Sequence, residues 1–125
     1  MTVFIDSDIL IDVSRGKNAQ IVAKWMDLSN ADAAVLYSPI SVAELWAGAR
    51  PNEYEALGHL FQALTCMPID EQTGYLAGLY LRQYRRSHSV EVVDAFIAAG
   101  AIASKAALWT RNKKHYPMKE ISFFD

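Results

Sequence analysis

A chain of 125 residues is long enough for one domain with a sizeable core, and 52% hydrophobic against 21% charged residues describes a folded protein, not a disordered one. The net charge of −2 excludes a protein that clings to nucleic acid by bulk electrostatics, so any such contact needs a local cluster of cations. A lone cysteine, Cys66, excludes an intrachain disulfide and a thiolate zinc cluster. Charges interrupt every apolar stretch well short of the roughly 20 residues of a membrane span. No leader-like pattern opens the chain, so the expectation is a soluble, cytoplasmic protein with no membrane contact.

Residues 3–5 (VFI) read as a buried strand, and residues 7–15 as a helix ended by Gly16. Asn18 is the expected N-cap of a second helix reaching residue 29, with Ile21, Val22, Trp25 and Met26 at helical spacing. Residues 33–37 are a second strand, and a helix carrying Glu44, Leu45 and Trp46 begins at Ser41. Arg50-Pro51-Asn52 breaks the chain before a helix with Leu57, Leu60, Phe61 and Leu64. Residues 66–69 form a short third strand, and Asp70 caps a long helix to about Arg86. Residues 92–105 are an Ala-rich helix in which Gly100 permits close approach of a neighbour. Residues 107–110 are a fourth strand and 121–124 a possible fifth.

This alternation predicts a single α/β domain over residues 1–125, with a central, mostly parallel sheet of four to five strands flanked by helices. Ligands of such sheets collect outside the carboxyl ends of the strands. Asp6 and the segment after Thr110 fall there, and Glu44 and Asp94 stand on helices able to flank that edge.

Each acid has a bland reading beside the functional one. Asp6 serves equally well as the N-cap of the helix starting at Ser7. Asp8, two residues on, is either a supporting group or a direct ligand. Asp12 reads as structural, and both it and Asp8 could be solvated or pair locally with Arg15. Ser41-Val-Ala-Glu44 matches a capping box, and the spacing alone favours that role for Glu44. Asp94 is surrounded by Val93, Phe96, Ile97 and Ala98, and a structural acid there needs a buried partner such as Arg82 or Arg85. Carboxylates among apolar side chains are costly unless neutralised, and a hard divalent cation neutralises several at once.

The motifs DSDILID (6–12), SPISVAELWAGAR (38–50), DAFIAAGAIASKAALWTRN (94–112) and NKKHYPM (112–118) together make the chain resemble the PIN-domain ribonucleases, specifically the VapC toxins of bacterial toxin–antitoxin pairs. The likeness covers nearly the whole chain. It implies a PIN-like fold, a carboxylate site for Mg²⁺ or Mn²⁺, RNA as substrate, a homodimer, and a cognate antitoxin across the acidic groove. By position, the acids of that site are Asp6, Glu44 and Asp94. Where the family often has a fourth Asp, this chain has Asn112 and then His115, and Asn112 is expected to supply a neutral oxygen or hold a metal-bound water.

The expected chemistry is hydrolysis of an RNA phosphodiester by metal-activated water, with Asp6, Glu44 and Asp94 as ligands and Asp8, Ser7 and Asn112 in support. An acidic pocket repels RNA, so cations must guide it. Arg111, Lys113, Lys114 and His115 adjoin the site, and Arg82, Arg85 and Arg86 share a helix face. Ser7 and Ser41 have no evident His or Lys partner, which disfavours a serine nucleophile. Trp25, Trp46, Phe61, Tyr75 and Tyr80 read as core or interface, with Trp46 a candidate for contact with a partner helix.

Three rivals remain at this level. A haloacid-dehalogenase-like phosphatase fits Asp6-Ser-Asp8, but that class wants Thr or Val where Leu10 stands, and a paired acid after the fourth strand. A receiver domain fits the early acids and Asp70, but lacks a Lys leaving the fifth strand. A non-catalytic module that keeps the PIN fold and sequesters a partner is favoured by the missing fourth acid.

Overall fold

Period-two burial along the first strand organises the molecule. β1 (Thr2–Ile5) sends Phe4 into one core and Val3 and Ile5 into another, because successive strand side chains point to opposite faces. The computed structural model describes all residues, 1–125. β1 pairs with β2 (Ala34–Tyr37) on one side and β4 (Ala107–Trp109) on the other, while β3 (Thr65–Cys66) pairs with β2. The result is a four-stranded, all-parallel sheet in the order β3-β2-β1-β4.

Parallel strands need crossover connections, and helices supply them on both faces. On one face α1 (Ser7–Arg15), α2 (Ala19–Ser29), α3 (Pro39–Gly48) and α4 (Tyr54–Gln62) bury Ile9, Leu10, Ile21, Leu28, Leu45 and Leu57. On the other, α5 (Glu71–His88) and α6 (Val92–Ala103) pack together and bury Ala77, Tyr80, Ile97 and Ala98. α6 meets β1 at Gly100, where a Cβ would lie 2.8 Å from Phe4 Cζ. Only glycine permits that approach.

Strand order reverses beside β1. The chain steps outward through β2 and β3, then returns to place β4 on the opposite side of β1. The carboxyl ends of β1 and β4 therefore flank a switch-point crevice of the kind α/β sheets use for ligands. The Asp6 N–H donates to Trp109 O at 3.0 Å and carries the pairing one residue past β1.

Most local signals act as read. Gly16 ends α1 in the left-handed region at φ 62°, Asn18 accepts from the Gln20 and Ile21 N–H groups, and Asp70 accepts from that of Thr73. Three expectations change. α3 starts at Pro39 with Ser38 as cap, because Pro at the first helical position has its φ already set and lacks an N–H to satisfy. β3 covers only Thr65–Cys66; the Met67 N–H still donates to Tyr37 O (2.8 Å), but Pro68 has no N–H to continue the ladder. The fifth strand shrinks to a single parallel bridge between Leu108 and Phe123, since β4 is itself only three residues long. Tyr75 stands exposed, so the core half of its core-or-interface reading falls. No helix is long and apolar enough to cross a membrane.

Candidate active site

Asp6 leaves β1 at the crevice with a nearly buried carboxylate held by three donors. Its Oδ1 accepts the Ser7 N–H at 2.7 Å, which makes it the N-cap of α1. Its Oδ2 accepts the Thr110 hydroxyl at 2.9 Å and the Tyr116 hydroxyl at 2.7 Å. Burial and the Asp6 charge push the Tyr116 hydroxyl far above its ordinary pKa, so it remains a donor. The N-cap reading and the site reading of Asp6 are thus compatible: one oxygen caps, and the other accepts from residues after β4.

Asp8 and Asp94 join Asp6 from α1 and α6. Asp8 Oδ1 accepts the Ile9 N–H (2.7 Å), while Oδ2 accepts the Arg111 N–H (3.0 Å) and Asn112 Nδ2 (3.3 Å). Burial raises the Asp8 pKa first, and the negative charge of Asp6 adds to it. Asp94 Oδ2 accepts the Glu91 N–H at 3.0 Å, and its Oδ1 lies 3.8 Å from His115 Nδ1. Burial again raises the carboxyl, Asp6 pushes it further up, and His115 pulls it down. Asp94 therefore finds its partners in Glu91 and His115, not in Arg82 or Arg85 as its apolar surroundings suggested. Both arginines are exposed on α5 and make no ion pair or hydrogen bond with any acid.

Glu44 reaches the same region by a relay. With Ser38 capping α3, Ser41 lies inside the helix and the anticipated Ser41–Glu44 capping box does not form. The freed Glu44 accepts the Ser7 hydroxyl at 2.6 Å, and Ser7 Oγ lies 2.7 Å from Ser41 Oγ. Four carboxylates thus gather around the start of α1, though no three converge as a finished metal-ligand set.

The chemistry of this donor set suits a hard divalent cation: oxygen donors only, with the Asp8 and Asp94 carboxyls raised by burial and by the charge of Asp6. A small cation such as Mg²⁺ keeps several waters and needs only one or two direct carboxylates, so a loose cluster fits it. Asn112 meets the cluster through Nδ2, which donates to Asp8 Oδ2 at 3.3 Å.

The nearby cations are partly committed. The Arg111 guanidinium lies 2.8 Å from Asp12, which replaces the expected local Asp12–Arg15 pair. Lys113 binds Asp125 at 2.6 Å, whereas Lys114 is exposed and makes no ion pair. Sequence reasoning missed Thr110 and Tyr116 as partners of Asp6. The only hint was that a buried carboxylate needs donors, and nothing local names donors more than 100 positions away.

The PIN domain model matches residues 3–121, and the chain belongs to the PIN-domain family. Among its relatives, Ribonuclease VapC19 of Mycobacterium tuberculosis is 36% identical over 115 residues, covering 91% of each chain. Ribonuclease VapC10 of the same organism is 34% identical over 119 residues, covering 94% of this chain and 88% of the relative. The fold is similar to that of VapBC2 from Rickettsia felis bound to a promoter DNA fragment (TM-score 0.83, 19% identity, 99% and 98% of the two chains). It is similar too to VapBC-1 from nontypeable Haemophilus influenzae (TM-score 0.80, 20% identity, 100% and 98%). The strand order β3-β2-β1-β4 also differs from the 2-1-3-4-5 order of a receiver domain.

Proposed function

We propose that this chain is the toxin of a type II toxin–antitoxin pair, an endoribonuclease that hydrolyses RNA phosphodiester bonds with Mg²⁺ or Mn²⁺. The observation that carries this reading is the gathering of Asp6, Asp8 and Asp94 at the β1–β4 switch point, with Glu44 attached through Ser7. The names of the relatives at 36% and 34% identity support the same activity.

Asp6, Glu44 and Asp94 would hold the ion, with Asp8 and Ser7 in support. When bound, the ion makes a water acidic enough to attack phosphorus and offsets charge on the phosphoryl oxygens. The chain's own residues do the positioning. Tyr116 and Thr110 orient the Asp6 carboxylate, Ser7 orients Glu44, and Asn112 and the Arg111 N–H orient Asp8. Lys114, with Arg111 and Lys113 beside it and His115 next to Asp94, provides the positive flank that admits a polyanion. Arg82 and Arg85 offer a second, outlying flank on α5.

The partners we assign are an antitoxin and a second copy of the chain, in the cytoplasm. The exposed Trp46, with its ring 5.3 Å from that of the exposed Tyr54, offers an aromatic surface to an antitoxin helix. The test is cleavage of an end-labelled RNA pool by purified protein. Products should appear with Mn²⁺ or Mg²⁺ and disappear with EDTA, in the Asp94→Asn variant, and on adding antitoxin. An RNA pool left intact under all conditions would instead support the non-catalytic module, for which the Asn112 substitution is the argument.

A further inference from the structure

Outside the acidic site, the chain builds one concentrated cationic pocket. A cavity of about 330 Å³ is lined by Ser14, Arg15, Lys17, Arg50, Asn52 and Glu53. Its single acid is occupied within the pocket wall. Glu53 Oε2 accepts Arg15 Nε at 3.1 Å, and Oε1 accepts the Arg50 N–H at 3.0 Å. Arg15 donates to Glu53 through Nε alone, and Lys17 and the Arg50 guanidinium make no ion pair. Three cations therefore face one cavity with most of their donors free, in a chain whose net charge is −2.

The pocket's place in the fold tells what it faces. α1 leaves the carboxyl end of β1 and α3 leaves that of β2, and the two helices pack together. The first turn of α1 is joined to α3 by Ser7 and Ser41 (2.7 Å) and by Ser7 and Glu44 (2.6 Å). At the other end of α1, Arg15 pairs with Glu53, which stands in the short turn between α3 and α4, so α1 runs from the acids to the pocket. Asp8, Asp12 and Arg15 follow i, i+4, i+7 spacing and share one stripe of α1. Asp12, midway, is neutralised by Arg111 at 2.8 Å. A polyanion lying along that stripe would meet no uncompensated acid between the site and the pocket. The nine residues from Ser7 to Arg15 span about 12 Å, in steps of about 1.5 Å. That is the reach of roughly three to four stacked nucleotides at about 3.4 Å apiece.

We propose that the Arg15–Lys17–Arg50 pocket is a second anion subsite, which holds a backbone phosphate of single-stranded RNA roughly three to four nucleotides from the bond at the acidic site. The inference rests on the ribonuclease reading above and adds to it a minimum substrate length and a direction for the strand.

The test compares the unmodified protein with Lys17→Ala/Arg50→Ala, by fluorescence anisotropy of labelled RNA in EDTA so that no cleavage intervenes. For an oligomer of about 12 nucleotides, loss of that one phosphate contact should lower the slope of log K against log salt by about 0.7. The same change weakens binding about fourfold near physiological salt. An oligomer of about three nucleotides, too short to span both places, should bind both proteins alike. Lys17→Glu, at an exposed unpaired side chain, should weaken the longer RNA further than Lys17→Ala. Equal affinity and equal salt slope for the longer RNA in both proteins would overturn the proposal, as would equal weakening of the short one. It would be overturned too if the variant bound RNA normally but lost its antitoxin, which would assign the pocket to an acidic protein segment. Failure of the ribonuclease reading shows separately, as intact RNA with Mn²⁺, whatever the anisotropy reads.

Discussion

The Ser7 hydroxyl lies 2.6 Å from Glu44 Oε1 and ties the first turn of α1 to the middle of α3 across 37 positions of sequence. Ser7 has one proton, so donation to Glu44 obliges Ser41, 2.7 Å away and fully buried, to donate to Ser7. The result is a directed chain, Ser41 to Ser7 to Glu44, in which each bond polarises the next. It is the link that brings the one acid remote from Asp6 into the group.

Removing that link has a specific consequence. Ser7→Ala leaves the Ser41 hydroxyl without its acceptor and Glu44 without its donor, at a cost of about 1–3 kcal/mol. The midpoint of urea unfolding should fall accordingly, and Mn²⁺ affinity by calorimetry should drop about 10- to 100-fold, as for other outer-sphere partners. An unchanged Mn²⁺ isotherm would show that Glu44 is not held for the ion.

Asp6 sets the proton affinity of its neighbours. Its charge raises the carboxyls of both Asp8 and Asp94, so Asp6→Asn should lower both pKa values at once. The amide keeps an acceptor for the Ser7 N–H and can donate to the Thr110 and Tyr116 oxygens, so the variant should fold. Carbon-detected titration of the side-chain carboxyls reads the result directly. A shift in only one of the two would mean that the acids form two separate groups.

The sign of the pH dependence is also determined. Asp8 and Asp94 have folded pKa values above the ordinary 3.8, so the stability they contribute is present at low pH and is lost as pH rises through those values. In metal-free buffer, Asp94→Asn should therefore gain stability relative to the parent between about pH 4 and pH 7. Saturating Mg²⁺ or Mn²⁺ should reverse the ranking at neutral pH, adding about 2.7 kcal/mol to the parent alone at 100 times the dissociation constant. Thermal melts at several pH values, with and without the ion, check both halves. An Asp94→Asn variant that gains nothing over the parent as pH rises in EDTA would contradict the Asp94 shift.

Gly100 governs how closely α6, and with it Asp94, approaches the sheet. A Cβ there meets Phe4 Cζ at 2.8 Å and Cε2 at 3.0 Å, and Phe4 is completely buried. Overpacking of this kind costs about 1–3 kcal/mol. The better helix propensity of Ala returns at most about 1 kcal/mol. Gly100→Ala should be net destabilised in urea, while Gly58→Ala, with nothing within 4 Å of the new Cβ, should not be.

Much of this architecture was legible before any coordinates. The run VFI, the N-caps Asn18 and Asp70, the stop at Gly16 and the close approach at Gly100 are all local signals, and each acts as read. Asp6, Glu44 and Asp94 were recognisable as costly carboxylates able to meet at one sheet edge; the structure couples Asp6 with Asp8 and Asp94 there, and Glu44 joins only through Ser7. Local spacing misled at Glu44, because two serines competed for the cap of α3 and the one before Pro39 won. It misled again at Asp12 and Arg15, whose i, i+3 spacing suggested a pair that neither residue makes.

Backbone conformation depends on neighbours within a turn or two of the chain, which is why α/β class, strand faces and helix ends follow from residue order alone. Partnership between side chains does not. Tyr116 and Thr110 serve Asp6 from 110 and 104 positions away, and Arg111 reaches Asp12 on another element. Those pairings exist because parallel strands bring distant carboxyl ends side by side, and only packing of the helices over the sheet settles which donor faces which acid.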